Sequence, residues 1–421
     1  MDKTKGVFRK SLLTVSIIAT IAFLFVFKYF NFFAVNLASL ARFLNWNYPL
    51  HILNIVLPIG LSFHTFQSLA YVIEVYRKRQ KVERNFGIYA LYVMFYPQLV
   101  AGPIERPQNL LHQFYEKHSF EYNRVISGLR LALWGFFQKI VIADRLAIIV
   151  NKVYEDPYSY GGPALIFATI LFSFQIFCDF AGYSNIAIGV ARVMGFTLMK
   201  NFDNPYGAKT VSEFWNKWHI SLYSWFRDYL FIPLGGSRVS KVRSIFNILI
   251  VFLISGLWHG ANWTFVIWGG LNGVYLIIHS LTKSTQEKVV SLIGLTKIKS
   301  LYTLAQTCVT FMLISFSWIF FRAKDLTEAR YIITHLFSGF SNWTNVLERK
   351  LILGTPAWDL IFVFLAIIFM QYVLTLRSKI NLQKVFSNKP IIIRWSVYYL
   401  ILMSILYYMS TTQAQFIYFQ F

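Results

Sequence analysis

The chain has 421 residues, of which 56% are hydrophobic, 19% aromatic and only 14% charged. A soluble domain carries about 25% charged residues, so this composition excludes an ordinary soluble protein. At about 20 residues per membrane-spanning helix, the apolar content suffices for roughly ten spans. The net charge of +22 fits cytoplasmic loops and anionic lipid headgroups, so we expect a membrane lipid environment and no nucleic-acid partner.

The first element is an anchor helix. Four basic residues precede an uncharged apolar run from Ser11 to Phe27. No small-residue cleavage site follows, which argues against a removable signal peptide. The Lys-Tyr-Phe sequence at 28–30 is typical of the interfacial end of a helix. We predict an anchor helix over residues 1–30 with its N-terminus in the cytoplasm.

Nine further apolar stretches follow in chain order. They are His51 to Ile73, Phe86 to Ile104, Val125 to Val150, Pro163 to Phe196, Ile245 to Leu257, Ala261 to Leu281, Thr303 to Phe321, Leu360 to Leu376 and Trp395 to Met409. We predict that the fourth consists of two elements broken near Gly182. The third carries charges, which are expensive in hydrocarbon, so we predict that it packs inside the protein or lies along its surface.

Basic clusters alternate with these stretches. They lie at Arg77 to Arg84, at Arg238 to Arg243, and between Arg377 and Arg394. By the positive-inside rule these loops are cytoplasmic. We predict one polytopic, all-α membrane domain over residues 1–421 with about 9–12 transmembrane helices plus interfacial or re-entrant helices.

The densest polar set lies at residues 201–273. Trp215, His219, Leu222 and Phe226 recur there at helical spacing, interrupted by charged residues. This pattern predicts one interfacial or re-entrant helix. We expect the acids Glu213 and Asp228 to pair with the neighbouring Lys217 and Arg227.

His259 is the strongest functional candidate. It stands at the end of one apolar run, between Gly256 and Gly260, which let a substrate or another backbone approach. An ionisable group at membrane depth indicates a functional site, and imidazole can take a proton near neutral pH. A structural role, such as a hydrogen bond to a neighbouring helix, stays open for His259, and the residues alone favour it for His219.

Other chemistries lack their motifs. The sequence has no P-loop, HExxH, CxxC or GxSxG pattern, so we expect no metal site and no bound cofactor. A transporter or flippase would also use polar groups at membrane depth. It predicts a pseudo-symmetric pair of interrupted helices, whereas the histidine motifs lie in one half of the chain.

Eight long motifs occur in one order along the chain. They are LPIGLSFHTFQSLAYVIEVYR (57–77), YPQLVAGPIERP (96–107), FCDFAGYSNIAIGVARVMGF (177–196), NFDNPY (201–206), SEFWNKWHISLYSWFRDYLFIPLGGSR (212–238), GLWHGANWTFVIWGGLNG (256–273), WIFFRAKDLTEA (318–329) and QFIYFQF (415–421). With these motifs the chain resembles the membrane-bound O-acyltransferase family, specifically its bacterial alginate O-acetyltransferase-like branch.

The resemblance implies an active site in a central tunnel. It implies that His259 is the active-site residue and that His219 is a second active-site histidine, and we hypothesise that His259 acts as the general base. The site region would be residues 201–273. The residues implied to line the tunnel where the substrates meet are Trp215, Asn216, Trp218, Trp258 and Asn262.

The resemblance also implies a reaction across a membrane. An acyl group, in this branch acetyl, would pass from a cytoplasmic thioester such as acetyl-CoA to a hydroxyl on the outer side. A separate exported, serine hydrolase-like (SGNH-type) acetyltransferase would be the partner, and an envelope glycan or exopolysaccharide such as alginate, cellulose or peptidoglycan the acceptor. The location would be the bacterial cytoplasmic membrane. Transfer of D-alanine to teichoic acid, by a related branch, is the close alternative.

Two features depart from the pattern of this branch. Further hydrophobic segments are expected before FKYFNFF (27–33), whereas one candidate helix precedes it here. His64 stands where an aromatic residue is expected. We therefore consider His64 a third polar group near the path to the site.

Overall fold

The computed structural model describes residues 4–56, 58, 60–292, 294, 298–340, 356–380, 382–409 and 416–417. These ranges contain helices and no strands, which confirms the all-α prediction. The helices of the first half are α1 (Gly6–Leu24), α2 (Phe30–Phe43), α3 (Leu61–Tyr76), α4 (Phe86–Val93), α5 (Pro107–Leu110), α6 (Tyr122–Phe136), α7 (Asp144–Glu155) and α8 (Gly162–Met194). Those of the second half are α9 (Val211–Lys217), α10 (Ile220–Phe226), α11 (Lys241–His259), α12 (Trp263–Leu292), α13 (Lys299–Arg322), α14 (Leu326–His335), α15 (Ala357–Arg377), α16 (Leu382–Ser387) and α17 (Ile391–Met409).

Seven helical segments of the described residues are long and apolar enough to cross a membrane. They are Gly6–Phe43, Gly162–Met194, Lys241–His259, Trp263–Leu292, Lys299–Arg322, Ala357–Arg377 and Ile391–Met409. The protein is therefore a multi-pass membrane protein. This number is below the predicted range of about 9–12, because several apolar stretches, such as Phe86 to Ile104, form short helices and loops instead of spans.

The N-terminal helix is longer than predicted. A π-helical segment, Phe25–Tyr29, joins α1 to α2 without interruption, so the predicted end at residues 28–30 is wrong. Lys28 lies within this continuous helix. Its ammonium donates hydrogen bonds to the backbone carbonyl oxygens of Trp258 (2.7 Å) and His259 (3.0 Å), and these bonds account for a cation in the middle of an apolar helix.

The α8 helix runs unbroken through Gly182, so the predicted break is also wrong. Gly182 instead allows close packing against α6, since a β-carbon there would lie 2.8 Å from the carbonyl oxygen of Gly135. Gly189 meets Gly128 in the same way, at 2.6 Å. Small residues at such contacts let membrane helices approach closely.

The charged stretch from Val125 to Val150 packs inside the protein. This is one of the two locations predicted for it. It forms α6, a π-helical segment and α7. Lys139 lies there between two carboxylates, 2.7 Å from Asp144 and 2.6 Å from Asp179 on α8. The prediction of a single domain over residues 1–421 stays a prediction.

The ends of the helices fit one membrane orientation. Arg9 on α1 donates to the carbonyl oxygen of Tyr76 at the end of α3, so the N-terminal basic residues lie beside the Arg77 to Arg84 cluster. Helices α11 and α12 form a hairpin with His259 next to its turn. Of the QFIYFQF motif only Phe416 and Ile417 lie within the described residues, and the Ile417 N–H donates to Asp179 at 2.7 Å.

Candidate active site

His219 lies at a break between two short helices. The sequence predicts one helix here, but α9 ends at Lys217 and α10 starts at Ile220. The His219 backbone adopts the left-handed conformation, with φ 43° and ψ 53°, which costs a non-glycine residue about 1–3 kcal/mol. The predicted single helix is therefore wrong, and the break places a buried imidazole, 2% exposed, in the protein interior.

Asn201 determines the tautomer of His219. The Asn201 side-chain oxygen accepts hydrogen bonds from the backbone N–H and the hydroxyl of Ser221, at 3.3 and 2.9 Å. A backbone N–H can only donate, so this atom is the amide oxygen. The same oxygen lies 3.0 Å from Nδ1 of His219. Nδ1 must therefore carry the proton, and Nε2 of the neutral ring keeps its lone pair.

The His219 imidazole stays neutral. Burial lowers the pKa of His219 to about 3, because a low-dielectric surrounding disfavours the imidazolium. Its Nε2 is buried and has no hydrogen-bond partner within the described residues. The ring thus presents a proton acceptor that a substrate hydroxyl could meet.

His259 occupies the last position of α11. Three aromatic rings surround its imidazole, with centroid distances of 4.8 Å to Trp258, 5.0 Å to Trp268 and 5.3 Å to Phe321. His219 also faces Trp258, at 6.4 Å, so one tryptophan lies beside both histidines. The aromatic packing fixes the His259 ring and limits water around it.

The glycines beside His259 serve helix packing. A β-carbon on Gly256 would lie 2.2 Å from the Phe265 carbonyl oxygen, and one on Gly269 would lie 2.2 Å from that of Phe252. These close contacts hold α11 against α12. They show that Gly256 serves the approach of another backbone, the second of its two predicted uses.

Both histidines line one cavity of about 460 Å³. Its walls come from α9, α10, α11 and α12, and its lining residues include Trp215, Trp218, His219, Val251, Ser255 and His259. On α12 the cavity is lined by residues from Leu276 to Lys283. Lys283 lies twenty residues, or about 30 Å along the helix axis, from the start of α12 at Trp263, next to the turn that follows His259. His219 and His259 thus line one end, and Arg227, His279 and Lys283 line the other.

The predicted tunnel residues divide into two groups. Trp215 and Trp218 line the cavity. Trp258 is buried and touches both histidines, but it stacks on Phe66 at 5.0 Å and is not part of the lining.

The two predicted asparagines lie elsewhere. Asn216 is exposed and bonds to the carbonyl oxygen of Ser212 on its own helix. Asn262 caps the turn before α12 and donates to the carbonyl oxygen of Lys324 at 2.9 Å. Their assignment to the tunnel stays a prediction that the cavity does not support.

The predicted ion pairs are present. Lys217 lies 2.7 Å from Glu213, and Arg227 lies 2.9 Å from Asp228. A third cation, Arg106, reaches Asp228 at 3.4 Å. These pairs hold the α9–α10 region in place.

Residue-by-residue reasoning missed Asn201 and Lys28. Asn201 opens the NFDNPY motif, which served as a family marker without a role in the site. Lys28 was assigned to an interface because the helix was expected to end there. His64 lies near the start of α3, where burial lowers its pKa, and it does not line the histidine cavity.

Comparison with known proteins identifies the family of this chain. The family profile described as MBOAT, membrane-bound O-acyltransferase family, matches residues 8–323. The chain belongs to the membrane-bound O-acyltransferase family.

Three similar proteins have names that describe acyl-transfer reactions. The chain is 34% identical to the "Probable alginate O-acetylase AlgI" of Pseudomonas aeruginosa, over 85% of this chain and 66% of that protein. It is 32% identical to the "Peptidoglycan O-acetyltransferase" of Helicobacter pylori, over 83% and 71%. It is 31% identical to the "Teichoic acid D-alanyltransferase" of Streptococcus thermophilus, over 52% and 56%. The chain spans about two thirds of the length of the alginate O-acetylases that it matches.

Proposed function

We propose that this protein is a membrane-bound O-acyltransferase. It takes an acyl group, acetyl in our proposal, from a cytoplasmic thioester such as acetyl-CoA and passes it on for O-acetylation of an extracytoplasmic polysaccharide. One observation carries the proposal: two buried histidines line one end of a cavity, and basic side chains line the other. Membership of the acyltransferase family and the names of the relatives support the same activity.

The two ends of the cavity suit the two halves of the reaction. Arg227 and Lys283 line the end that lies toward the N-terminus of α11 and the basic Arg238 to Arg243 loop. A coenzyme-A-like donor carries several negative charges, which cations attract. Its acyl arm would extend through the apolar middle of the cavity toward His259, with little water present to hydrolyse the thioester.

His259 acts as the general base in this proposal. Its imidazole removes the proton from an acceptor hydroxyl while the hydroxyl oxygen attacks the thioester carbonyl carbon. The C–S bond of the resulting tetrahedral species then breaks. The departing thiolate receives the proton from the His259 imidazolium, so that an ester and a free thiol leave and the histidine returns to its neutral form.

His219 positions the acceptor. Its Nδ1–H is committed to Asn201, so Nε2 can accept a hydrogen bond but cannot donate one to an oxyanion. A second histidine could either orient the acceptor or stabilise developing negative charge; this tautomer fits the first role and not the second. The acceptor hydroxyl would be held between the two imidazoles as it reacts.

The wider setting is part of the proposal. The protein would lie in the bacterial cytoplasmic membrane with its basic loops inside. It would hand the acetyl group to, or work with, a separate exported SGNH-type acetyltransferase that modifies an envelope glycan or exopolysaccharide. The relatives' names support alginate-like and peptidoglycan acceptors equally.

The test follows labelled acetyl groups in isolated membranes. We expect His259→Ala to lower transfer from acetyl-CoA by at least about 100-fold, the lower range for loss of a general base. His112→Ala is the matched control, because this histidine is exposed and lies outside the cavity. Full activity of a correctly folded His259→Ala protein would exclude the proposed mechanism.

Two further outcomes separate the alternatives. Transfer from a D-alanyl thioester but not from an acetyl thioester would identify the teichoic-acid type of reaction, which one of the relatives is named for. Accumulation of unreacted substrate inside sealed vesicles, unaffected by His259→Ala, would identify a transporter.

A further inference from the structure

A second cavity lies apart from the histidines, among α6, α8, α15, α16 and α17. It encloses about 800 Å³ and shares no lining residue with the histidine cavity. Two kinds of side chain form it. Cations lie at one end and large apolar groups line the rest. This arrangement is complementary to an amphiphile that has an anionic head and a hydrocarbon tail.

The charged end carries four cations: Arg130, Arg192, Arg377 and Lys379. No aspartate or glutamate is among the lining residues, and none of the four forms an ion pair with a carboxylate of the described residues. Like charges gathered in a partly buried space repel one another. An anion held among them would remove that repulsion.

Two of these cations are already oriented. Arg192 donates a hydrogen bond to the hydroxyl of Ser127 at 2.9 Å, and Arg130 lies over the ring of Tyr398 at 5.7 Å. Held in this way, the guanidinium groups lose little further conformational freedom when they bind a phosphate. Both features point to a prepared anion site.

The apolar part of the cavity continues along the helices. Trp134 on α6, Phe369 and Val373 on α15, and Ile401 on α17 line it. Trp134 and Phe369 lie with ring centroids 6.1 Å apart. All four side chains are apolar, so an acyl chain could lie along them.

The position of the cavity indicates which leaflet supplies the ligand. Arg192 lies in the last turn of α8, and Arg377 is the last residue of α15. The loop after Arg377 holds one of the basic clusters assigned to the cytoplasm by the positive-inside rule. Anionic lipids give that leaflet a negative surface potential, and basic pockets between membrane helices bind the headgroups of such lipids.

We propose that this cavity binds one anionic glycerophospholipid of the cytoplasmic leaflet. Its phosphate lies among Arg130, Arg192 and Arg377, and one acyl chain lies along Trp134, Phe369 and Val373. This binding site is independent of the acyl-transfer proposal, since it uses none of the residues assigned there.

The experiment measures lipid binding to the purified full-length protein by native mass spectrometry. Phosphatidylglycerol, phosphatidylcholine and glycerol 3-phosphate serve as probes. We expect one phosphatidylglycerol to bind more tightly than phosphatidylcholine. Arg192→Gln with Arg377→Gln should weaken it about 10- to 30-fold, since each cation near an anionic lipid contributes about 1 kcal/mol.

Three variants keep the test independent of folding. Arg79→Gln with Arg84→Gln removes the same charge from an exposed cytoplasmic loop and should leave this binding unchanged. Arg192→Lys with Arg377→Lys keeps the charge and should retain most of the affinity. Val373→Trp should fill the apolar part and weaken phosphatidylglycerol while leaving glycerol 3-phosphate unaffected.

Three results would overturn the proposal. Equal binding of phosphatidylcholine would show that charge plays no part. Loss of binding in the loop variant alone would place the lipid elsewhere. Glycerol 3-phosphate binding as tightly as phosphatidylglycerol would identify a site for soluble phosphates, without a lipid chain.

Discussion

Asn201 connects the local backbone of the site to its chemistry. Its backbone carbonyl accepts the Ile220 N–H at 2.9 Å, and its side chain fixes the His219 ring and Ser221. The same residue thus stabilises the left-handed turn and selects the His219 tautomer. A histidine with the wrong tautomer keeps its place but presents the wrong atom to its substrate.

Removal of this acceptor is the first prediction. We expect Asn201→Ala to lower the rate of acyl transfer by about 10- to 100-fold, the usual effect of losing a partner that orients a functional histidine. The control is Asn216→Ala, which removes an exposed asparagine of the same region and should change the rate less than about twofold. Equal effects of the two substitutions would contradict the role of Asn201.

Asn201→Asp adds a pH-dependent measurement. The carboxylate keeps an acceptor for Nδ1, but its negative charge favours the imidazolium and raises the pKa of His219 from about 3. The native protein should show no loss of activity from His219 between about pH 5 and 8. The variant should lose activity on the acidic side of this range, where a protonated His219 can no longer accept the substrate's hydrogen bond.

Glu105 provides a separate prediction for stability. Burial raises its pKa from 4.5 to about 7, although the Met199 N–H donates to its carboxylate. The folded protein therefore holds this proton up to about pH 7, whereas the unfolded chain releases it near 4.5. The free energy of unfolding is therefore unaffected below about pH 4.5, falls as pH rises from about 4.5 to 7, and stays lower by about 3 kcal/mol above pH 7.

Glu105→Gln should remove that loss of stability. We expect the variant to melt at a higher temperature than the native protein at pH 8, with a much smaller difference at pH 5, measured by tryptophan fluorescence in detergent. Glu116→Gln, an exposed neighbour, should shift neither melting curve. A benefit of Glu105→Gln at pH 5 that disappears at pH 8 would reverse the assigned sign.

At the scale of elements, the N-terminal helix supports the site through a contact with the end of α11. Lys28 binds the last two carbonyl oxygens of α11, those of Trp258 and His259. A cation there compensates the negative end of the helix dipole and fixes the position of the His259 backbone. Lys28 is therefore a positioning residue, which acts on the reaction through His259.

Lys28→Met should slow acyl transfer about tenfold, which corresponds to ~1.4 kcal/mol and lies within the range for cations at helix C-termini. The substitution should lower kcat and change the KM for acetyl-CoA little, because Lys28 does not line the cavity. Lys10→Met changes an exposed lysine of the same helix and should leave both unchanged. A weakened acetyl-CoA affinity with an unchanged maximal rate would argue against positioning.

The elements also show what the sequence can predict. Hydropathy located the apolar helices because membrane spanning requires long apolar segments, and the mutual proximity of Glu213 and Lys217 follows from helical spacing. The break at His219 could not be predicted, since local spacing favours a continuous helix and the competing interaction comes from Asn201, eighteen residues away. Gly182 was misjudged for a similar reason: the glycine serves contact with α6, which only the tertiary structure shows.

At the scale of the whole molecule, the three basic clusters that contribute to the net charge of +22 share one side. One basic cluster follows α3, one precedes α11 and one follows α15. The order of the helices along the chain places these three helix ends on the same side of the membrane. Both cavities have their cations at this side. One orientation would thus satisfy three demands, namely the positive-inside rule, attraction of an anionic donor and binding of an anionic lipid.

This orientation can be tested by cysteine labelling in intact cells, in a background in which the exposed Cys308 is replaced by serine. Ser237→Cys lies in the basic loop before α11, and Phe337→Cys lies after α14 with 86% of the side chain exposed. Because α11, α12 and α13 cross the membrane in turn between them, the two positions lie on opposite sides. A membrane-impermeant maleimide should label residue 337 in intact cells and residue 237 only after permeabilisation. The reverse pattern would place the basic ends of both cavities outside, where no cytoplasmic thioester could reach them, and would exclude the proposed direction of transfer.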